Sequence, residues 1–262
     1  AEEPGAEEPG AEEPGAEGLK VVHCDGGVFH AAAALEDGRC MAWGKHQGAA
    51  PPGTPGTPGG PGACQAQVLS TGKVYVWKPA DGASIVQVAC GQKHTAALDS
   101  KGRVWTFGSN RRNQLGARGD GSEGVPAVVK PWNDGVVKAK KVSCGWSHTV
   151  VLDEERRIHA FGRNDLGQCS ELQGFWDDVE AGSEMILARQ GEQVSAVGWN
   201  EHGNLGVGDT ENRIQEAELP LILSPPFLIA AGGGHCAATA KLNLEHENPT
   251  PPVPTFNADL RT

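Results

Sequence analysis

The chain is poor in aromatic residues and lacks any long apolar segment. Aromatic residues make up only 5% of its 262 residues. No run of about 18 apolar residues occurs, so we expect no membrane-spanning helix. The N-terminus also lacks the charged-then-apolar pattern of a signal peptide. We therefore expect a cytoplasmic protein, with the nucleus as a second location, that does not act at a membrane.

Basic residues are not in excess, which bears on nucleic-acid binding. The formal net charge is −11, but seven of the 33 acidic residues are glutamates within residues 1–18, which leaves 26 against 22 basic ones. A nearly neutral body with an acidic tail offers no basic face for phosphates. Direct binding of nucleic acid is therefore disfavoured.

The seven cysteines are odd in number, scattered, and form no CxxC pair. This spacing argues against a zinc ribbon and against a disulfide framework. We expect no metal ion and no cofactor, and we find no sign of a small-molecule ligand.

Glycine and proline are abundant, with 37 and 18 residues, which favours turns over long helices and indicates an all-β protein. Three segments have low complexity: the AEEPG tail at 1–18, a Pro/Gly-rich insert at 49–63, and a Pro-rich tail at 242–262. We expect the two tails to be disordered or extended, because they cannot bury apolar surface. The folded body is then 19–241.

A repeat runs through this body. Residues 88–116 and 142–168 share the pattern CGxxHT…LD…FG in one register, offset by 54 residues. The G-x-x-H part occurs at Gly27 with His30, Gly91 with His94, Gly145 with His148 and Gly232 with His235, whereas Gly182 is followed by Met185. Each unit predicts two short strands. The mean spacing of about 51 residues is typical of propeller blades and exceeds the period of helical repeats.

Cys144 and His148 could form a thiolate nucleophile with its base, or half of a zinc site. Cys90 and His94 repeat the same spacing. Because an enzyme seldom needs one nucleophile twice, we interpret these cysteines as small buried apolar residues and the histidines as turn residues that satisfy backbone groups.

The repeat resembles that of the regulator of chromosome condensation family, C-G-x-x-H-T-x-x-L-x-x-x-G-x-V-x-x-F/W-G-x-N-x-x-x-Q-L-G. This resemblance implies a β-propeller, usually of seven blades, and a family that includes nucleotide exchange factors, a photoreceptor and adaptors. The five anchors predict only four to five blades, so the propeller is either degenerate or incomplete. Residues 69–77 look like the orphan second half of another unit.

The GWNEHGNLG loop and the short last half-repeat resemble the subfamily of the yeast alpha-tubulin suppressor and the deafness-locus-associated protein. That resemblance implies an adaptor for a small CSL-type zinc protein in diphthamide biosynthesis and tRNA wobble-uridine modification.

An aromatic side chain beside several hydrogen-bonding groups is typical of an interface anchor. The candidate partner-binding residues are Trp199, Asn200, Glu201, His202 and Asn204 of this loop, with Trp132 and Trp176 in inter-strand loops. The alternative for Asn200 is a place in the blade turn, because it repeats Asn110 and Asn164.

Three functions remain open at this point: a non-enzymatic adaptor, a guanine-nucleotide exchange factor for a small GTPase, and a decayed repeat protein. No catalytic residue can be named for any of them.

Overall fold

The computed structural model describes residues 20–45, 64–69, 74–117, 125–132, 135–219 and 227–240. These residues form eighteen strands in five antiparallel sheets and contain no helix. The tails at 1–18 and 242–262 and the insert at 49–63 lie outside the described residues. Within the described ranges no helix could span a bilayer.

The first sheet, blade one, has five strands in the spatial order β1-β2-β3-β5-β4. They are β1 (Val21–Gly26), β2 (His30–Leu35), β3 (Cys40–Gly44), β4 (Cys64–Leu69) and β5 (Val74–Pro79). Residues 74–77 of the orphan segment predicted at 69–77 belong to β5, which pairs with β3 and takes the fourth position of the sheet. The buried side chains of Tyr75 and Trp77 hold β5 there.

The other four blades follow the chain in order. Blade two contains β6 (Ile85–Cys90), β7 (His94–Asp99), β8 (Val104–Gly108) and β9 (Ala127–Val128). Blade three contains β10 (Ala139–Cys144), β11 (His148–Asp153) and β12 (Ile158–Gly162). Blade four contains β13 (Asp178–Ala181), β14 (Met185–Gln190), β15 (Gln193–Gly198) and β16 (Arg213–Glu218). Blade five contains β17 (Phe227–Ala231) and β18 (Cys236–Ala240).

The first strands of successive blades lie side by side. β1 contacts β6, β6 contacts β10, β10 contacts β13, and β13 contacts β17. This order is that of a β-propeller, with the first strand of each blade nearest the axis. The prediction of an all-β propeller with four to five recognisable blades is confirmed.

The core lies between the blades. Four apolar clusters fill the successive interfaces, and indole or phenyl rings from strands and loops contribute to the first three. At the first interface the ring centroids of Trp77 and Trp105 are 5.4 Å apart. Trp132 fills the second interface and Trp176 the third. Burial of these large side chains stabilises each blade against the next.

Candidate protein-binding face

The G-x-x-H loops of all five blades lie at one end of the sheets, which we call the GxxH face. In every blade the anchor glycine follows the first strand and the histidine position precedes or begins the second. Together the loops line a cavity of about 330 Å³ on the propeller axis, the axial cavity. The cavity wall contains all five anchor glycines, Gly27, Gly91, Gly145, Gly182 and Gly232.

The anchors at Gly27, Gly91 and Gly145 must be glycine because each loop closely approaches the backbone of the next loop. A Cβ on Gly91 would lie 2.6 Å from the carbonyl oxygen of Gly145 and would overlap the ring of His94. A Cβ on Gly145 would overlap the ring of His148 and the carbonyl oxygen of Gly182. The sequence pattern thus records a steric requirement of the propeller axis.

The histidines link one blade to the next. Nε2 of His30 lies 2.8 Å from Oγ1 of Thr95, and Nε2 of His94 lies 2.9 Å from Oγ1 of Thr149. Burial lowers the pKa of His94 to about 3, so its ring is neutral at neutral pH. The threonine is the residue after the histidine of the following unit, which explains the HT pair in the repeat.

At His148 this link is missing. The matching position in blade four is Ile186, which has no hydroxyl group, and the ring faces the backbone of Met185. Neither ring nitrogen reaches hydrogen-bond geometry with a described residue. Burial lowers the pKa of this histidine to about 4.

Cys144 and His148 do not form an activated pair. Burial raises the pKa of the Cys144 thiol to about 12, while the low pKa of His148 keeps its ring neutral. Sγ of Cys144 lies 3.9 Å from Oγ1 of Thr149. A thiolate nucleophile needs a lowered thiol pKa, which is the opposite shift. In the described part of the chain, no three His, Cys, Asp or Glu side chains converge on a metal position.

Exposed apolar side chains occur in two of the loops that line the axial cavity. Val28 is 50% exposed, Phe29 44% and Trp146 42%, and all three occupy the variable positions of G-x-x-H loops. Nζ of Lys93 lies 5.9 Å from the centroid of the Phe29 ring. The sequence does not single out Val28 and Phe29, because their signal is weak: a large apolar residue where the repeat does not require one.

The GWNEHGNLG loop lies on the same face. It follows β15, and the Trp199 amide donates to the Glu184 carbonyl at 2.9 Å within the G-x-x-H loop of blade four. The half-buried Trp199 ring packs edge-on against exposed His202, with centroids 5.1 Å apart. Glu201 is also exposed. These three residues remain candidates for contact with a partner.

The other four predicted contact residues are buried in the structure. Asn200 is fully buried and its Oδ1 accepts from the Leu205 amide at 2.9 Å, the same turn bond that Asn110 makes with Leu115. Asn204 is 6% exposed. The structure also does not place Trp132 and Trp176 at a surface: they are 1% and 2% exposed, because both rings fill gaps between blades.

Comparison with known proteins agrees with this geometry. A family model described as regulator of chromosome condensation (RCC1) repeat matches residues 101–152, and a second model of the same description matches 85–114 and 139–168. The ultraviolet-B receptor UVR8 of Arabidopsis thaliana is 27% identical over 235 residues, covering 84% of this chain and 49% of the receptor. The secretion-regulating guanine nucleotide exchange factor of Mus musculus is 26% identical over 271 residues, covering 90% and 55%.

The solved structure of Prp20p from Saccharomyces cerevisiae superimposes with a TM-score of 0.65 at 18% identity, covering 88% of this chain and 58% of that chain. The chain thus spans about half the length of the curated relatives it matches. Residues 85–168 of the chain therefore match RCC1 repeats, and its fold is similar to that of solved RCC1-type β-propellers.

Proposed function

We propose that this chain is a non-enzymatic adaptor that binds a partner protein on its GxxH face. The observation that carries the proposal is the exposure of two apolar side chains that line the axial cavity, Val28 and Trp146, with exposed Phe29 next to Val28 in the same loop. Aromatic residues are enriched at the energetic centres of protein interfaces. Trp199 and His202 extend the same face.

For the partner we propose a small CSL-type zinc protein, with a role in diphthamide biosynthesis and tRNA wobble-uridine modification. Support comes from the resemblance carried by the GWNEHGNLG loop, whose exposed residues lie on the GxxH face. This proposal places the protein in the cytoplasm, with the nucleus as a second location.

Calorimetric titration of the full chain with a purified CSL-type zinc protein tests the proposal. Phe29→Ala and Trp146→Ala should each weaken binding by about tenfold or more, because a buried aromatic anchor is worth at least about 1.4 kcal/mol. The matched control is Phe175→Ala: Phe175 is 52% exposed, and its carbonyl accepts from Arg156, in the turn that joins β11 to β12 at the other end of the blades. Equal losses at Phe175 and Phe29 would contradict a role for this face, and absence of binding would remove the zinc protein as partner.

A second candidate function is guanine-nucleotide exchange on a small GTPase. The mouse relative is named as an exchange factor, and Prp20p is described as binding Gsp1p and histones. Release of labelled GDP from a panel of small GTPases, with and without the purified chain, separates the two functions. An exchange factor accelerates release from at least one GTPase, whereas an adaptor accelerates none.

A further inference from the structure

We infer that the axial cavity receives a basic side chain, arginine or lysine, of the protein that docks on the GxxH face. This inference rests on the proposed function and adds the chemistry of the contact at its centre. Among the described residues that line the cavity there are two carboxylate side chains, Asp25 and Glu180, and no lysine, arginine or histidine.

Asp25 brings a negative charge that the fold does not neutralise. Its Oδ2 accepts from the Cys90 amide at 2.7 Å and its Oδ1 from the Gly26 amide at 2.9 Å. Among the described residues no basic side chain forms an ion pair with it. The two amide bonds hold the carboxylate in place and leave its charge available to a ligand.

Glu180 belongs to a cluster that is also negative. Nζ of Lys141 lies 2.6 Å from Oε1 of Glu180 and 2.7 Å from Oδ1 of Asp178, so one ammonium group serves two carboxylates. Oγ of Ser143 donates to Oε2 of Glu180 at 3.1 Å. The wall of the cavity therefore carries excess negative charge on two sides.

The backbone of the cavity also favours a cation. Each anchor glycine donates its amide to the carbonyl of its own histidine position, at 2.8 to 3.0 Å. The amides of Gln92, Trp146 and Ser183 donate to the loop of the next blade. With these N–H groups engaged, an anion would find few donors along the wall, whereas a cationic side chain needs only acceptors there.

The cavity mouth indicates that the cation belongs to a protein and is not a free amine. Trp146 lines the cavity and is partly exposed, so a guanidinium or ammonium group could lie against its ring. Val28, which also lines the cavity, and the adjacent Phe29 are apolar and about half exposed. A free amine in the cavity would leave both side chains in water. A protein surface that presents one basic side chain covers these residues and places the charge between Asp25 and Glu180.

The test is an NMR titration of the full chain with N-acetyl-arginine amide, followed through the indole N–H signal of Trp146, which Trp146→Phe assigns. The neutral isostere N-acetyl-citrulline amide is the control ligand. We expect a saturable shift with the arginine compound and none with citrulline. Asp25→Asn and Glu180→Gln keep acceptor oxygens but lose the charge, and each should weaken binding by roughly fivefold. Glu154→Gln, which removes the same charge from the turn at the other end of the blades, should leave binding unchanged.

The inference is overturned if the signal does not saturate, if citrulline amide acts equally, or if both charge variants, shown to be folded by their thermal unfolding, bind arginine amide as wild type does. If one of them fails to fold, the other decides. Loss of partner binding in Phe29→Ala together with no response to arginine amide would refute the cavity contact and leave the adaptor proposal standing. If the chain responds to arginine amide but Phe29→Ala and Trp146→Ala leave partner binding unaffected, the cavity would still bind a basic group and the adaptor proposal would be contradicted.

Discussion

Nε2 of His94 and Oγ1 of Thr149 are 2.9 Å apart and join blade two to blade three. The threonine hydroxyl donates its proton to the carbonyl of Gln114 at 2.8 Å, so it can only accept from the histidine. The Nε2 of His94 therefore carries the proton. This chain of bonds links three segments of two blades within the buried core.

Thr149→Val should lower the free energy of unfolding by about 1 to 3 kcal/mol. Valine keeps the shape of threonine but leaves the Nε2–H group of His94 buried without an acceptor. Urea unfolding measures the change. Thr149→Ser keeps the hydroxyl and should recover most of the stability, so an equal loss in both variants would show that packing of the methyl group, and not the hydrogen bond, matters.

A substitution at Ile186 can add the His–Thr hydrogen bond that is missing between blades three and four. At this position, threonine would place a hydroxyl where the ring of His148 lacks a partner, whereas valine has the same shape without the hydroxyl. We expect Ile186→Thr to be more stable than Ile186→Val by about 1 kcal/mol in urea unfolding. If the threonine hydroxyl found no partner, Ile186→Val would be the more stable variant. That result would contradict the view that a His–Thr hydrogen bond can form between any two neighbouring blades.

Gly145→Ala should destabilise the protein by about 3 kcal/mol, because its Cβ would overlap the His148 ring and the backbone of blade four. Gly26→Ala is the control, since nothing lies within 4 Å of a Cβ there. Its effect should stay within about 0.5 kcal/mol. Similar midpoints of thermal unfolding for the two variants would show that the loops at the axis can move apart.

Stability should fall on acidification between pH 6.5 and about 4. Burial lowers the pKa of His94 to about 3 and of His148 to about 4, from 6.5 in the unfolded chain. Between these pH values the unfolded state binds protons that the native state does not, so the free energy of unfolding rises with pH. The contribution of the two neutral histidines to stability is fully present above pH 6.5. Each histidine contributes up to about 1.4 kcal/mol per pH unit. Urea unfolding at half-unit steps measures the slope, and a flat profile from pH 6.5 to 4.5 would contradict neutral burial of the rings.

The repeat made most of the fold predictable from the sequence. The glycines and histidines report contacts that recur in every blade, so their spacing indicates blade number and strand order. The position of β5 was not predictable, because it depends on pairing with β3 across the insert at 49–63. Trp132 and Trp176 lie in irregular loops, where no periodicity tells a buried ring from an exposed one. Phe29 is exposed although the sequence does not indicate it, because its exposure depends on where its loop lies on the GxxH face.

The strand order of blade one implies an order of assembly. β4 is the outermost strand of its sheet and pairs with β5, yet it precedes β5 in the chain. As the chain leaves the ribosome, β4 emerges before the strand that joins it to β3. Because β5 is the only described strand that pairs with β4, β4 can join blade one only together with β5 or after it, and the pairing of β5 with β3 is the step that completes the sheet.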